Sequence, residues 1–221
     1  MLPIGDDNSR RRTFPFVTYT LVALNAVVFL VELGQPDPQA YLSQWGATPS
    51  QISAGQSLAT LVTSMFLHAG WAHLLGNMLF LVIFGDNVED AFGHFKYLAF
   101  YLACGIAAAL AQVVLAPGSR VPSVGASGAI SGVLAAYVVM FGNNRVRVLL
   151  GFFPTVVPAY VMIGLWIVLQ FVLGAASLGY TQQSGGVAYG AHVGGFLCGL
   201  LLTFVLRPAR RPALRPNDRR W

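Results

Sequence analysis

Apolar residues run through this chain in long unbroken stretches, separated by short polar ones. Phe16 to Leu33 is apolar over a length that crosses a bilayer core, for which about 20 residues suffice. Further apolar runs predict a second helix from about Trp71 to Val88 and a third from about Tyr97 to Leu115. A fourth is expected from Ser127 to about Phe141, a fifth from Thr155 to Leu173 and a sixth from Val187 to Leu206. Between them lie a polar turn with Asp86, Glu89 and Asp90, a polar loop from Leu115 to Val124 and a basic turn from Asn143 to Arg147. A small-residue loop follows from Gly174 to Gly186. Gly34 to Leu58 is a long connector, and long ordered loops are often functional. Its Leu42, Trp45 and Ile52 suggest that part of it dips into the membrane interface.

Composition agrees with the pattern. Of 221 residues, 56% are hydrophobic and only 10% are charged, against about 25% charged in a soluble domain. Mean hydropathy is +0.64. So few charges cannot cover a water-facing surface, and an integral membrane protein follows. Basic residues before Phe16 would also suit a cleaved signal peptide. Leu33 is followed by Gly34-Gln35-Pro36-Asp37-Pro38, not by a small-residue cleavage site, so a retained first helix is expected. The fold class is therefore all-α: a six-helix membrane bundle over residues 16–206. A cytoplasmic segment, 1–15, precedes it, and a basic, Pro-rich tail without a fixed fold, 207–221, follows.

Charge sets the orientation. With the N-terminus in the cytoplasm and six crossings, the inner segments hold Arg10, Arg11, Arg12, Lys96, Arg145, Arg147 and the arginines from Arg207 to Arg220. Only Arg120 faces outward. The net charge of +5 thus reports membrane orientation, not nucleic-acid binding. A plasma membrane with both termini cytoplasmic is the expected location. Cys104 and Cys198 lie in apolar runs and suggest buried, inert thiols.

Gly125-Ala126-Ser127-Gly128-Ala129-Ile130-Ser131-Gly132 marks the junction between the polar loop and the fourth helix. Glycines beside Ser127 leave room for a substrate backbone or a second helix. The N–H groups of a first helical turn lack partners inside the helix, and the dipole there favours negative charge. The plainer reading is a small-residue packing face built on Gly128 and Gly132. Polar residues elsewhere shift the balance. His73 and Asn77 are four apart and share a helix face. His192 stands near the start of the sixth helix, close to Gly194 and Gly195. Helices two, four and six all run from outside to inside, so His73, Asn77, Ser127 and His192 fall at similar depth below the outer face. Polar groups at such depth are costly and usually functional. His68 lies just before the second helix, and His94 is expected to be solvated in the cytoplasmic turn.

Acyl transfer fits this set. Ser127 would be the nucleophile and His192 its general base. No Asp or Glu lies in the outer halves of the three helices, so a dyad is expected in place of a triad. The Ser127 N–H, His73 and Asn77 would hold the oxyanion, each such donor being worth about 3–4 kcal/mol. No metal and no cofactor is called for.

Gly125-Ala126-Ser127-Gly128, His73-x-x-x-Asn77 and Ala191-His192-x-x-Gly195 together resemble the signatures of rhomboid intramembrane serine proteases. The likeness extends from Leu61 through Gly85-x-x-x-Glu89 to Leu206. It implies a six-helix rhomboid core, with Ser127 and His192 as the dyad and His73 and Asn77 in the oxyanion hole. Gly125, Gly128 and Gly195 would allow close helix packing and access to the site. It also implies hydrolysis of single-pass transmembrane substrates near the outer ends of their helices, with the fifth helix and the following loop as gate and cap. Two positions depart from the family. Ala59-Thr60 stands where a Trp-Arg pair is common, and Ser131 where an aromatic residue often stacks on the histidine.

Other functions fit less well. His68-x-x-x-x-His73 lacks the spacing and the Glu of H-E-x-x-H, and Asp86 and Asp90 lie at a turn, unlike the aspartates of an intramembrane aspartyl protease. A transporter would need charge near the midplane. The remaining alternative is a rhomboid-like protein that binds membrane segments without cutting them.

Overall fold

The structure is a computed structural model and describes residues 1–9, 11–177 and 188–206. The tail expected beyond Leu206, and most of the small-residue loop after Gly174, lie outside the described residues. Helix α1 spans Phe16–Leu33. The connector that follows is ordered into two short helices, α2 (Pro38–Trp45) and α3 (Pro49–Ser53). Asp37 caps α2 by accepting from the Ala40 N–H, and a proline opens each helix, where its missing N–H costs nothing. Then come α4 (Thr60–Thr63) and a 3-10 turn, Ser64–Phe66. Five further helices complete the bundle: α5 (Trp71–Phe92), α6 (His94–Leu115), α7 (Ser127–Phe141), α8 (Ala159–Ser177) and α9 (Tyr189–Leu206). Five of the helices are long and apolar enough to cross a membrane: α1, α5, α6, α8 and α9. Helix α7 is shorter, at 15 residues, and almost wholly buried.

The fold is mostly helical but not all-α. Three strands, β1 (Leu2–Asp6), β2 (Arg145–Leu150) and β3 (Phe153–Pro158), form an antiparallel sheet in the order β1-β2-β3. The stretch expected as a basic turn is thus mostly strand. Its alternation is the reason: Val146 and Val148 are fully buried while Arg145 and Arg147 point outward. Gly151, at φ +61°, opens the two-residue turn to β3, as in a type II′ hairpin. The fifth helix therefore begins at Ala159 and not at Thr155. Pro158 has no N–H to give and biases Val157 toward extended backbone.

The polar turn expected after Val88 is also helical, since α5 continues to Phe92 and breaks only at Gly93, with φ +79°. Its carboxylates are structural. Glu89, fully buried, accepts from the N–H groups of Val17 and Thr18 and from the Thr18 hydroxyl, at 2.7–2.9 Å. It thereby caps the N-terminus of α1, where free N–H groups and the helix dipole favour an anion. His94 is not merely solvated: its Nδ1 lies 2.6 Å from Glu89 Oε1. Asp90 accepts from the Arg12 and Thr13 N–H groups. Arg11 pairs with Asp86 at 2.6 Å. Asp6 of β1 accepts from Tyr137 of α7 at 2.6 Å and from Asn87 at 2.7 Å. Burial pushes the Asp6 carboxyl up to about 7, against the lowering effect of the Tyr137 hydrogen bond.

The long connector packs against the protein as well. Leu42 and Ile52 are buried, and Ala47 pairs with Ser123 across an isolated bridge. Near the departure at Ala59-Thr60, the Thr60 hydroxyl donates to Ser57 O and the Thr63 hydroxyl to Trp45 O, at 2.6 and 2.7 Å. These bonds, with the bridge, tie the connector down.

Replacing Glu89 with Ala should destabilise the fold by about 3 kcal/mol or more, because it strands several buried donors. Thermal unfolding in detergent would show a lowered midpoint for Glu89→Ala, and Glu89→Gln should fall between it and the wild type.

Candidate active site

The N-terminal ends of α5, α7 and α9 converge on one cavity of about 740 Å³. Helix α7 starts at Ser127, so the Ser127 N–H has no acceptor within its helix. Its hydroxyl lies 2.7 Å from His192 Nε2, across 65 residues of sequence. The other ring nitrogen, Nδ1, lies 2.7 Å from Oε1 of Gln170 on α8. An amide oxygen only accepts, so this contact calls for the proton on Nδ1, the tautomer in which Nε2 can accept from the Ser127 hydroxyl. Trp166, one turn before Gln170, sets its ring 5.8 Å from the imidazole, centre to centre, tilted by 36°.

His73 and Asn77 line the same cavity from α5. Asn77 is 7% exposed, and its Nδ2 meets no hydrogen-bond partner among the described residues. Its amide is a buried donor left unpaired beside the cavity. Gly125 closes the wall opposite. Its N–H donates to Ser64 O at 2.8 Å, and its φ of +119° is one that side chains rarely tolerate. A Cβ there would come within 2.6 Å of the His73 ring. The loop before Ser127 thus lies directly against the two polar groups of α5.

Glycines bring α7 and α9 together. A Cβ on Gly195 would overlap the Gly128 carbonyl, and one on Gly199 would come within 2.5 Å of Gly132 Cα. A Cβ on Gly128 would collide with Ala108 of α6, and one on Gly132 with Cys104. The packing reading and the site reading of these glycines are therefore compatible: backbone contact between the helices sets the spacing of Ser127 and His192.

Ser131 does not reach His192. Its hydroxyl donates to Ser127 O, one turn back, at 2.6 Å. Where an aromatic side chain is common in the family, this chain has Trp166 and Gln170 beside the imidazole, both from α8. Neither stood out among the candidate residues. The available signal was Gln170 itself, an amide in the middle of an apolar run. His68 stays outside the cavity lining. It is fully buried, its ring centre is 5.1 Å from that of His73, and its ring nitrogens face no hydrogen-bond partner among the described residues. Among those residues no cluster of His, Cys, Asp or Glu is placed to hold a metal ion.

Two outcomes follow from this packing. Gly195→Val should drive α7 and α9 apart and lower the thermal midpoint, since overpacking costs about 1–3 kcal/mol and here the obstacle is backbone. Burial, with His73 close by, pushes the His68 imidazole from 6.5 down to about 4. The unfolded chain then binds more protons than the folded one between these values, so the stability from neutral His68 is complete above pH 6.5 and lost as pH falls toward 4. Thermal midpoints measured across this window should fall less steeply in His68→Phe than in the wild type.

Comparison with known proteins identifies the family. The Rhomboid domain model matches residues 55–209. The rhomboid protease GluP of Bacillus subtilis is 38% identical over 133 residues, covering 59% of this chain and 26% of that protein. The rhomboid protease AarA of Providencia stuartii is 36% identical over 140 residues, covering 56% and 50%. The mitochondrial Rhomboid protein 1 of Saccharomyces cerevisiae is 28% identical over 198 residues, covering 87% and 54%. The chain thus spans about half the length of these relatives or less. With its apolar helices and the family match over most of its length, this multi-pass integral membrane protein belongs to the rhomboid family, whose members include proteases.

Proposed function

We propose that the chain is an intramembrane serine endopeptidase that cuts peptide bonds in or beside the membrane-spanning segments of its substrates. The single observation carrying this is the 2.7 Å approach of Ser127 Oγ to His192 Nε2 inside a cavity. In the reaction, Ser127 Oγ attacks the scissile carbonyl while its proton passes to His192 Nε2. The resulting oxyanion accepts from the Ser127 N–H, Asn77 Nδ2 and His73. The imidazolium then gives its proton to the leaving amine, the C–N bond breaks, and an acyl-enzyme remains. Water, deprotonated by the same imidazole, hydrolyses the ester and restores the hydroxyl.

The membrane placement belongs to the same proposal. The chain crosses six times, α7 included, with both termini and the β-sheet on the cytoplasmic side and the cavity opening outward. A 15-residue helix rises only about 22 Å, less than the ~30 Å hydrocarbon core. With α7 rooted at the cytoplasmic end by Tyr137 and Asp6, Ser127 sits beneath the outer surface. A single-pass substrate would therefore have to bring a locally unwound backbone down to it, past the small side chains of Ala72, Ala108 and Ala191 that line the cavity. A plasma-membrane location fits the distribution of basic residues.

Purified, reconstituted protein should cleave a transmembrane reporter. Ser127→Ala and His192→Ala should each lose about 10⁴-fold or more, as when members of a serine triad are removed, with unchanged thermal midpoints. A fluorophosphonate probe should label the wild type but not Ser127→Ala. Unimpaired cleavage by either variant would refute the dyad, while a wild type that binds membrane segments but neither cleaves nor labels would be a silent binding protein.

A further inference from the structure

Gln170 is the strongly polar side chain in the middle of α8, which reads AYVMIGLWIVLQFVLGAAS. It is 7% exposed. Packing does not ask for an amide there, because Leu or Met would fill the space without the cost of taking a polar group into an apolar setting. Among the described residues, its side chain meets one hydrogen-bond partner, His192 Nδ1, 2.7 Å from Oε1.

That contact matters because of what surrounds the imidazole. Helix α7 presents Ser127, α5 presents His73, and α8 presents Trp166 with Gln170. Where α6 meets α9 it brings Ala107, Ala108 and Ala111 against Gly194 and Gly195, and Gln112 against Gly190. Among the described residues, no carboxylate reaches Nδ1. Ser131, at the position one turn after Ser127, is turned away to Ser127 O. Without Gln170 the neutral ring could carry its proton on either nitrogen, and only the Nδ1–H form leaves Nε2 able to accept from Ser127.

We infer that Gln170 is the positioning residue of this site. Its amide oxygen holds His192 in the Nδ1–H tautomer, in the role a carboxylate plays in a triad, and Trp166, on the same face one turn earlier, limits the tilt of the ring. The inference rests on the proposed dyad for its catalytic meaning but not for its structural content. An amide carries no charge, so it fixes orientation with little added stabilisation of the imidazolium. The third member of the constellation also comes from a different helix than the first two. The seating of α8 against α9 thereby decides whether the base is correctly aimed.

The test pairs kinetics with a tautomer measurement on the full-length protein in detergent. In protein carrying ¹⁵N-histidine, the His192 signals, assigned by their loss in His192→Ala, should report an Nδ1–H ring. Gln170→Met keeps the side-chain length but removes the acceptor. It should keep or raise the thermal midpoint, shift His192 toward the Nε2–H form, and lower kcat by about 10- to 100-fold with KM nearly unchanged. Gln170→Glu restores an acceptor oxygen and should recover most of the lost rate. An Nε2–H ring in the wild type overturns the inference whether or not any variant folds. So does a Gln170→Met protein with wild-type kcat or an unaltered tautomer. If Ser127→Ala still cleaves, the dyad is wrong, yet the ring spectrum still decides the role of Gln170.

Discussion

The contact on which the molecule depends is backbone against backbone, between α7 and α9. Gly128 and Gly132 on one helix meet Gly195 and Gly199 on the other so closely that a Cβ added to Gly195 or Gly199 would collide with main chain. In lipid there is little hydrophobic force to press two helices together, and association draws on van der Waals contact and interhelical hydrogen bonds. Small residues make the first possible, and the close approach makes the second: Ser127 and His192 meet at 2.7 Å only because the axes are so near. Ala108 and Cys104 of α6 fit into the same seam. The approach of Ser127 to His192 is therefore a by-product of how the centre of the bundle packs.

The two ends of the bundle are built on opposite rules. At the end holding the sheet, most buried polar groups are paired. Glu89 receives three donors from α1 and a fourth from His94, Asp90 receives the chain before α1, and Asp6 joins β1 to α7 and to α5. At the other end, Asn77 Nδ2 has no hydrogen-bond partner among the described residues and lies beside the cavity. Saturated hydrogen bonding makes one end a rigid base. An unpaired donor at the other end is what the proposed reaction would use to receive an incoming oxygen.

Much of this was legible in the primary structure, for physical reasons. Long apolar runs report helices directly, and α7 runs from Ser127 to Phe141 as its pattern predicts. The face shared by His73 and Asn77, and the glycines around Ser127, likewise need only helical geometry. Other features depended on distant partners. The β-hairpin was disguised because a strand with outward arginines also looks like a basic turn, and only pairing with Leu2–Asp6 and Phe153–Pro158 separates the two. Asp86, Glu89 and Asp90 looked like turn residues because their charge suggested solvent, whereas Glu89 is buried under α1. The same holds for His94, whose partner is that buried carboxylate. Nothing local connects Gln170 to His192, 22 residues on.

The order of the helices along the chain has a bearing on biosynthesis. Ser127 belongs to α7 and its imidazole neighbour to α9, the last described helix. Until α9 is inserted, the hydroxyl lacks the imidazole that lies 2.7 Å from it in the folded protein. The proposed dyad comes into being only when α9 slides into the glycine seam. On the proposed reading, the chain therefore stays chemically blank until that helix has been inserted.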